Sequence, residues 1–401
     1  MAGADQRKLS FPFPDTSGSE LPSEFARLRE EQPVARVVLP TGDEAWLVTR
    51  YADVRGVLTN PLFSRAAAEA PGAPRIGHSG PGPHTILGMD PPDHTRLRRL
   101  VAQAFTARRV EELRPWIEKI ANSLLFAVNV APRPVDLIAT YTLALPLKVI
   151  FELLGVDYED RDKLHAWAEV IFSLNAHSAE AVAKARGDLN EYLRTMIDAR
   201  RRKPTDDLVS ALIAARDEGD KLSEDELVDF VLILLTVGHM STANNLTSAI
   251  FSLLRHPDQL ARLYENPELV PDAVEELLRY NPFTLTGTQL RVAVADVEVG
   301  GVQVHAGDAV VAALGAANHD PSVFADAGTL DLARDPNPHV AFGYGAHHCL
   351  GAQLARAEMQ IGISALIRRL PNTLRLAVPE DWLTWRLGLT ARSLASLPVV
   401  W

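Results

Sequence analysis

The chain has 401 residues and one cysteine, with 51 Asp and Glu against 40 Lys and Arg and a formal charge of -11. That balance excludes nucleic acid as a general partner, and a lone cysteine excludes an intrachain disulfide. No linker, low-complexity tract or repeat divides the chain, so one domain over residues 1–401 is expected; with no apolar leader and no apolar run longer than Phe230 to Leu235, the expectation is a cytoplasmic monomer without membrane contact.

Val34 to Leu39 and Trp46 to Thr49 are β-branched and aromatic runs separated by Thr41-Gly42-Asp43, which predicts a hairpin in a small peripheral sheet; Tyr51 to Leu58 predicts a short helix. Pro71 to Pro83 is dense in Pro and Gly and predicts a long loop of functional type. In Asp90-Pro-Pro-Asp93-His94-Thr-Arg96-Leu-Arg98-Arg99 the prolines and Asp93 mark a helix start, and His94 and Arg98, four apart, share one face. From Glu112 to Arg202 the pattern is helical, including Leu137 to Leu154 and Glu180 to Arg202.

Ser223-Glu-Asp-Glu226 is a capping box, and Leu227 to Leu254 is apolar on nearly every face, which predicts a helix buried through the core. Gly238, midway along it, weakens the helix by about 1 kcal/mol relative to Ala and therefore calls for a packing or functional reason. Glu276 and Arg279 form an i, i+3 pair on a helix ended by Asn281-Pro282. Val297, Val299, Gly300-Gly301, Val302 and Val304 predict a second hairpin, placed as one wall of the functional site.

The stretch His339 to Leu354 contains Cys349 amid Gly343, Gly345 and Gly351, positions read as turns or close approaches that a Cβ would forbid. Ala352 to Leu366 is a helix former, so Cys349 is expected at a helix N-terminus, where backbone N–H groups favour a thiolate. Gly343-Tyr-Gly345 is not a dinucleotide fingerprint, because His348 stands where the third glycine belongs. The full pattern Phe342-Gly343-X-Gly-X-His347-X-Cys349-X-Gly351 resembles the haem-ligand loop of the cytochrome P-450 family.

That resemblance implies a mainly α fold with small β-sheets, and haem b with the Cys349 thiolate as axial ligand and metal-binding residue. It implies that Phe342, Gly343 and Gly351 shape the loop and that His94, Arg98, Arg291 and His347 hold the haem propionates. Glu276 and Arg279 would lock beneath the haem together with Arg334. Gly238 would let dioxygen and substrate approach the core helix. Ile233, Val237, Phe172, Leu174, Leu285, Thr286 and Leu389 would line a substrate pocket, roofed by Trp167 to Asn175 and capped by the Pro71 to Pro83 loop.

The family's acid-Thr-Thr proton relay reads Met240-Ser241-Thr242 here, so Gly238, Met240, Ser241 and Thr242 form an altered catalytic stretch, with His239 or a substrate hydroxyl as possible assistants. The resemblance implies a monooxygenase using O2 and NAD(P)H-derived electrons from a ferredoxin and its reductase, docked on a basic patch of Arg96, Arg99, Arg108 and Arg109. A macrolide or polyketide substrate is expected, with the altered relay favouring epoxidation over hydroxylation. A peroxide-driven peroxygenase, a non-catalytic haem protein and a cysteine hydrolase stand as alternatives.

Overall fold

A computed structural model describes residues 9–13, 20–77, 80–82, 84–102, 105–217, 222–284, 286 and 290–401. Everything is laid around the 32-residue helix Glu224–Arg255. Its start is fixed by the capping box: Ser223 Oγ accepts from the Glu226 N–H at 3.1 Å, and Glu226 Oε2 accepts from the Ser223 N–H at 2.8 Å. By length and a mean hydropathy of 1.4 this helix could cross a membrane, yet 67% of its apolar window is buried inside the protein. The six-residue run Phe230 to Leu235 therefore understated it, because Thr236, Gly238, Ser241 and Thr242 interrupt the run without making the helix polar. Helices Ala144–Leu154, Ala179–Arg202, Val270–Tyr280 and Ala352–Arg369 pack against it.

Two expectations gain detail at this packing. A Cβ on Gly238 would lie 3.1 Å from Ile150 Cδ1 and 3.3 Å from Ile150 Cγ1. The glycine thus allows close approach of the Ala144–Leu154 helix, a packing reason for its place in the core helix. Leu137 to Leu154 is helical as expected, in two windings: a π-helical turn over Ile138–Thr142, then the α-helix Ala144–Leu154. Pro146 has no N–H to donate to Thr142, so the chain makes a wide turn over Ile138–Thr142 before the helix begins.

Strands gather in three sheets among the described residues. The largest runs Leu9–Ser10, Val34–Val38, Glu44–Val48, Ala309–Ala312, Arg291–Ala293, Phe63–Ser64. The predicted hairpin, Val34–Val38 with Glu44–Val48, is antiparallel with Val34 opposite Val48. Its sheet is more than a peripheral ornament, because Glu44–Val48 pairs in parallel with Ala309–Ala312, which carries Arg291–Ala293 at its other edge. The second hairpin, Val297–Val299 with Val302–Val304, forms its own two-stranded sheet. It packs on the helix Tyr51–Thr59, where a Cβ on Gly300 would meet Asp53 Oδ2 at 2.9 Å, so it is not the wall of the site.

Candidate functional site

The Cys349 loop is shaped by its own backbone. Gly343 and Gly345 both have φ near +73°, a left-handed conformation open to glycine, and a Cβ on Gly345 would lie 2.8 Å from Leu58 O. The Gly343 N–H donates to Val340 O at 2.8 Å, and the Cys349 N–H to Phe342 O at 2.8 Å, closing the turn. Gly351 is different: it is the N-cap of Ala352–Arg369 with φ -85°, and a Cβ there would meet nothing within 4 Å. Its glycine is therefore not required by the chain's own conformation. The Phe342 ring carries the Arg356 guanidinium 4.4 Å from its centroid.

Cys349 is enclosed by its loop yet presents an exposed surface. Burial pushes its thiol up, against the Gly351 N–H and the guanidiniums of Arg98 and Arg356. The helix N-terminus alone therefore does not make a thiolate; a bound metal cation would.

Above this loop lies a group of cations that sequence alone does not assemble. Phe63–Ser64 pairs with Arg291–Ala293 with Phe63 opposite Ala293 and Ser64 opposite Val292, which brings Arg65, just past the strand, near Arg291. Both arginines are almost fully buried, at 3% and 4% exposure. Like charges held near each other repel, and burial lowers Arg65 to about 9, with Arg291 adding to the shift. Burial likewise lowers Arg291 to about 10. His94, buried, stacks its ring 4.2 Å from that of His347. Burial and the charges of His94, Arg65, Arg291 and Arg98 push His347 down to about 2. The His94 Nε2 atom is buried without a hydrogen-bond partner among the described residues.

Four of the predicted residues, His94, Arg98, Arg291 and His347, are thus brought into one electrostatic cluster. Arg65 was missed, since nothing in Phe63-Ser64-Arg65 signals it before the strand register is known. Asp90, the acid of this region, is engaged by the N–H groups of Arg65 and Ala66 and by the Ser64 hydroxyl. Arg98 donates to His348 O at 2.7 Å and so ties its helix, Asp93–Ala102, to the Cys349 loop. The Arg65 guanidinium is itself held by the carbonyls of Leu87 and Leu290, its Nε donating to Leu87 O at 2.7 Å, and its charge together with Arg291, His94 and His347 makes a cationic region that fits a ligand carrying two carboxylates, as haem does.

Beneath the loop, Glu276 and Arg279 are both fully buried. Arg279 Nε donates to Glu276 Oε2 at 2.7 Å and Nη2 to Oε1 at 2.8 Å, while its remaining donors reach the carbonyls of Asn318, Ala327 and Thr329. Arg334 Nε lies 3.1 Å from Glu276 Oε2, and Asn337 and the Asp331 N–H complete the carboxylate's shell. The i, i+3 pair legible in the sequence is thus fully buried, and every lone pair of the acid is used.

The opposite wall is the core helix. Between Phe230 and Leu253 its part-exposed positions are Leu234, Val237, Gly238, Ser241, Asn244, Asn245 and Ser248, one stripe at helical spacing. Ser241 Oγ donates to Val237 O at 2.7 Å, and Thr242 Oγ1 to Gly238 O at 3.3 Å. Met240 and Thr242 are buried off that stripe. His239 is fully buried: Nδ1 faces Leu235 O at 2.6 Å and Nε2 faces His165 Nδ1 at 3.1 Å. Its proton ends on a carbonyl, so it passes none to Ser241.

Phe172, Leu174, Thr286 and Leu389 come together. Ser173 bridges Leu389, the Leu174 N–H donates to Gly388 O at 2.8 Å, and Thr390 bonds both Phe172 O and, through its own carbonyl, Thr284, whose hydroxyl meets that of Thr286. Phe172 and Val237 pack on the cluster that holds Ile233. Leu285 lies outside the described residues. The loop from Pro71, also described only in part, touches this roof where a Cβ on Gly77 would lie 3.4 Å from Leu174. In the expected basic patch, Arg96 is instead paired with Glu226, while Arg108 and Arg109 share Glu112 at the surface. A cavity of about 500 Å³ lined by Leu100, Phe105, Trp116 and Leu212 contains none of the predicted haem or catalytic residues.

The family model described as Cytochrome P450 matches residues 11–375. The chain is 48% identical to the Nocardicin C N-oxygenase of Nocardia uniformis subsp. tsuyamanensis, over 98% of each chain. It is 44% identical to the Mycinamicin IV hydroxylase/epoxidase of Micromonospora griseorubida over the whole of both. Among solved structures, HinD with NMFT and NO superposes with a TM-score of 0.92 at 44% identity, covering 98% of this chain and 99% of that one. With its one cysteine in the haem-ligand loop and a buried donor set for two carboxylates above it, the chain belongs to the cytochrome P450 family and is a haem-dependent monooxygenase.

Proposed function

We propose that the chain, as one domain over residues 1–401, oxygenates a large natural product of macrolide or polyketide type. The observation that carries the haem assignment is the buried pair Arg65 and Arg291 beside His94 and His347. In this reading Cys349 ligates the iron, Arg291, His94, His347 and Arg98 hold the propionates, Arg65, whose guanidinium donates to the Leu87 and Leu290 carbonyls, adds positive charge behind them, and Glu276, Arg279 and Arg334 keep the loop in place. The haem supplies dioxygen activation. Ile233, Val237, Phe172, Leu174 and Leu389 supply an apolar wall that orients substrate and excludes water, and Thr286 closes it beside Thr284. A macrolide substrate is supported by the relative named for mycinamicin IV. A cytoplasmic enzyme fed by a ferredoxin and its reductase fits the exposed Arg99, Arg108 and Arg109.

Ser241 holds a proton at Oγ, donated to Val237 O, and its free lone pairs can accept from water. No acid stands at Met240, so proton delivery rests on water and this hydroxyl, and we propose that epoxidation of an alkene is favoured over hydroxylation. Carbon monoxide added to the reduced protein should give the strongly red-shifted Soret band of thiolate ligation; without it the reading fails. With mycinamicin IV as probe, Ser241→Ala should cut product formed per NADPH, and Met240→Glu should shift product from epoxide to alcohol. Unchanged coupling and product in both variants would sink the role given to this stretch.

A further inference from the structure

The first turns of the core helix face the helix Ala179–Arg202 across a ladder of charges. Arg201 Nη2 pairs with Glu224 Oε2 at 3.0 Å, and Arg194 Nη2 with Asp225 Oδ1 at 2.7 Å. Numbers fall on one helix as they rise on the other, so the helices run antiparallel and the next rung, one turn along each, sets Asn190 opposite Asp229. This rung is not closed. Asp229 has no ion pair within 4 Å among the described residues, and Asn190 Oδ1 is buried without a hydrogen-bond partner. One turn further, Arg186 reaches the loop, its Nη2 donating to Gly80 O at 3.2 Å and Pro81 O at 3.4 Å, while its buried Nε has no acceptor among the described residues. Burial pushes the Asp229 carboxyl up, against the nearby charges of Arg186 and His84.

A half-buried carboxylate, an unmet amide oxygen and an unmet guanidinium N–H within two helical turns cost free energy unless something pairs them. Protein groups close the neighbouring rungs, and here the partner has to come from elsewhere. Asp229, Ile233, Val237 and Ser241 succeed one another at i, i+4 spacing, which leads from this rung to the open stripe of the core helix. Twelve residues separate Asp229 from Ser241, about 18 Å along the axis. We propose that Asp229, Asn190 and Arg186 form an anchoring subsite for the protonated amine of a long, otherwise apolar substrate, the ammonium donating to Asp229 and Asn190 Oδ1 while Arg186 Nε donates to an adjacent oxygen. The proposal rests on reading the core-helix stripe as the substrate pocket. It makes these three residues determinants of which substrates are held, remote from the reacting atoms.

The test compares two probes of equal chain length on the haem-loaded enzyme: dodecylamine, whose ammonium carries three N–H donors at neutral pH, and 1-dodecanol, neutral. Calorimetry reads affinity and the Soret band reads spin state. The ammonium probe should bind roughly tenfold or more tightly than the alcohol, the range for a charge-assisted pair out of bulk water. Asp229→Asn should abolish that preference while leaving alcohol affinity unchanged, Asn190→Leu should reduce it, and Asp229→Glu should retain part of it. Equal affinities in the wild type, no binding of the ammonium probe, or a preference that survives Asp229→Asn would each overturn the subsite. If both probes move the Soret band without an ammonium preference, the subsite fails and the pocket reading stands. If the preference depends on Asp229 but neither probe moves the Soret band, the subsite stands and its continuity with the haem pocket fails.

Discussion

The two sides of the site are built by opposite rules. On the cysteine side, the Glu276 carboxylate is fully buried and meets Arg279, Arg334, Asn337 and the Asp331 N–H, so no lone pair is left over. On the core-helix side, the hydroxyls of Ser241 and Thr242 bond only carbonyls of their own helix, and Met240 adds no polar atom. One wall is over-determined and holds a single arrangement. The other leaves these two hydroxyls bonded only within their own helix among the described residues.

The sharpest way to break this contrast is to open the saturated side. Arg279→Leu strands Glu276 without its main partner and leaves three carbonyls unmet. Removing one member of a buried pair of this kind costs about 3–5 kcal/mol. Urea unfolding of the haem-loaded protein should show that loss together with release of haem. A loss below about 1 kcal/mol would mean that the cysteine side is no more constrained than the core-helix side.

A smaller effect belongs to the rim of the same wall. Glu275 accepts from Arg356 at 2.8 Å through both oxygens and faces His339 Nε2 at 3.0 Å. Burial opposes its ionisation, but the hydrogen bonds from His339 and Arg356 bring the carboxyl from 4.5 down to about 2. A carboxyl whose folded value is depressed adds stability above its unfolded value and loses it as pH falls. The contribution, at most about 3 kcal/mol, is therefore present above pH 4.5 and disappears toward pH 2. Subtracting the pH–stability curve of Arg356→Met from that of the wild type should leave most of this slope. A difference independent of pH would remove Glu275 from the constrained wall.

These contrasts explain what the sequence could and could not show. The capping box at Ser223, the helix after Gly351 and the pairing of Glu276 with Arg279 depend on residues within one or two turns of each other, and local spacing reveals them. Arg65 depends on Ser64 lying opposite Val292, a pairing across 228 positions that no local pattern encodes. Arg96 looked like surface charge beside Arg99, yet Glu226 of the capping box takes it, because the core helix starts where that side chain ends. The second hairpin was legible as a hairpin, but its place on Tyr51–Thr59 was not, since period-two alternation gives the exposed and buried faces without naming what covers them.

Gly238 is where the two kinds of evidence meet most closely, and it carries the smallest effect. A glycine inside a helix costs about 1 kcal/mol relative to alanine, so its presence opposite the cysteine invites a catalytic reason. The geometry supplies a packing reason, with Ile150 Cδ1 at 3.1 Å and Cγ1 at 3.3 Å from where a Cβ would stand. Both atoms belong to a side chain that can give by a few tenths of an ångström. Gly238→Ala should therefore change stability by less than about 1 kcal/mol, the gain in helix propensity offsetting the tighter contact. Gly238→Val adds branched bulk against the same side chain and should cost about 1–3 kcal/mol. Ile150→Val in the Gly238→Val background should recover part of that loss, because it removes the atom in closest contact. Substrate-induced spin shift and NADPH coupling should follow stability across the three proteins. If Gly238→Ala leaves unfolding untouched but abolishes coupling, the glycine serves the oxygen side, and the core helix is constrained there after all.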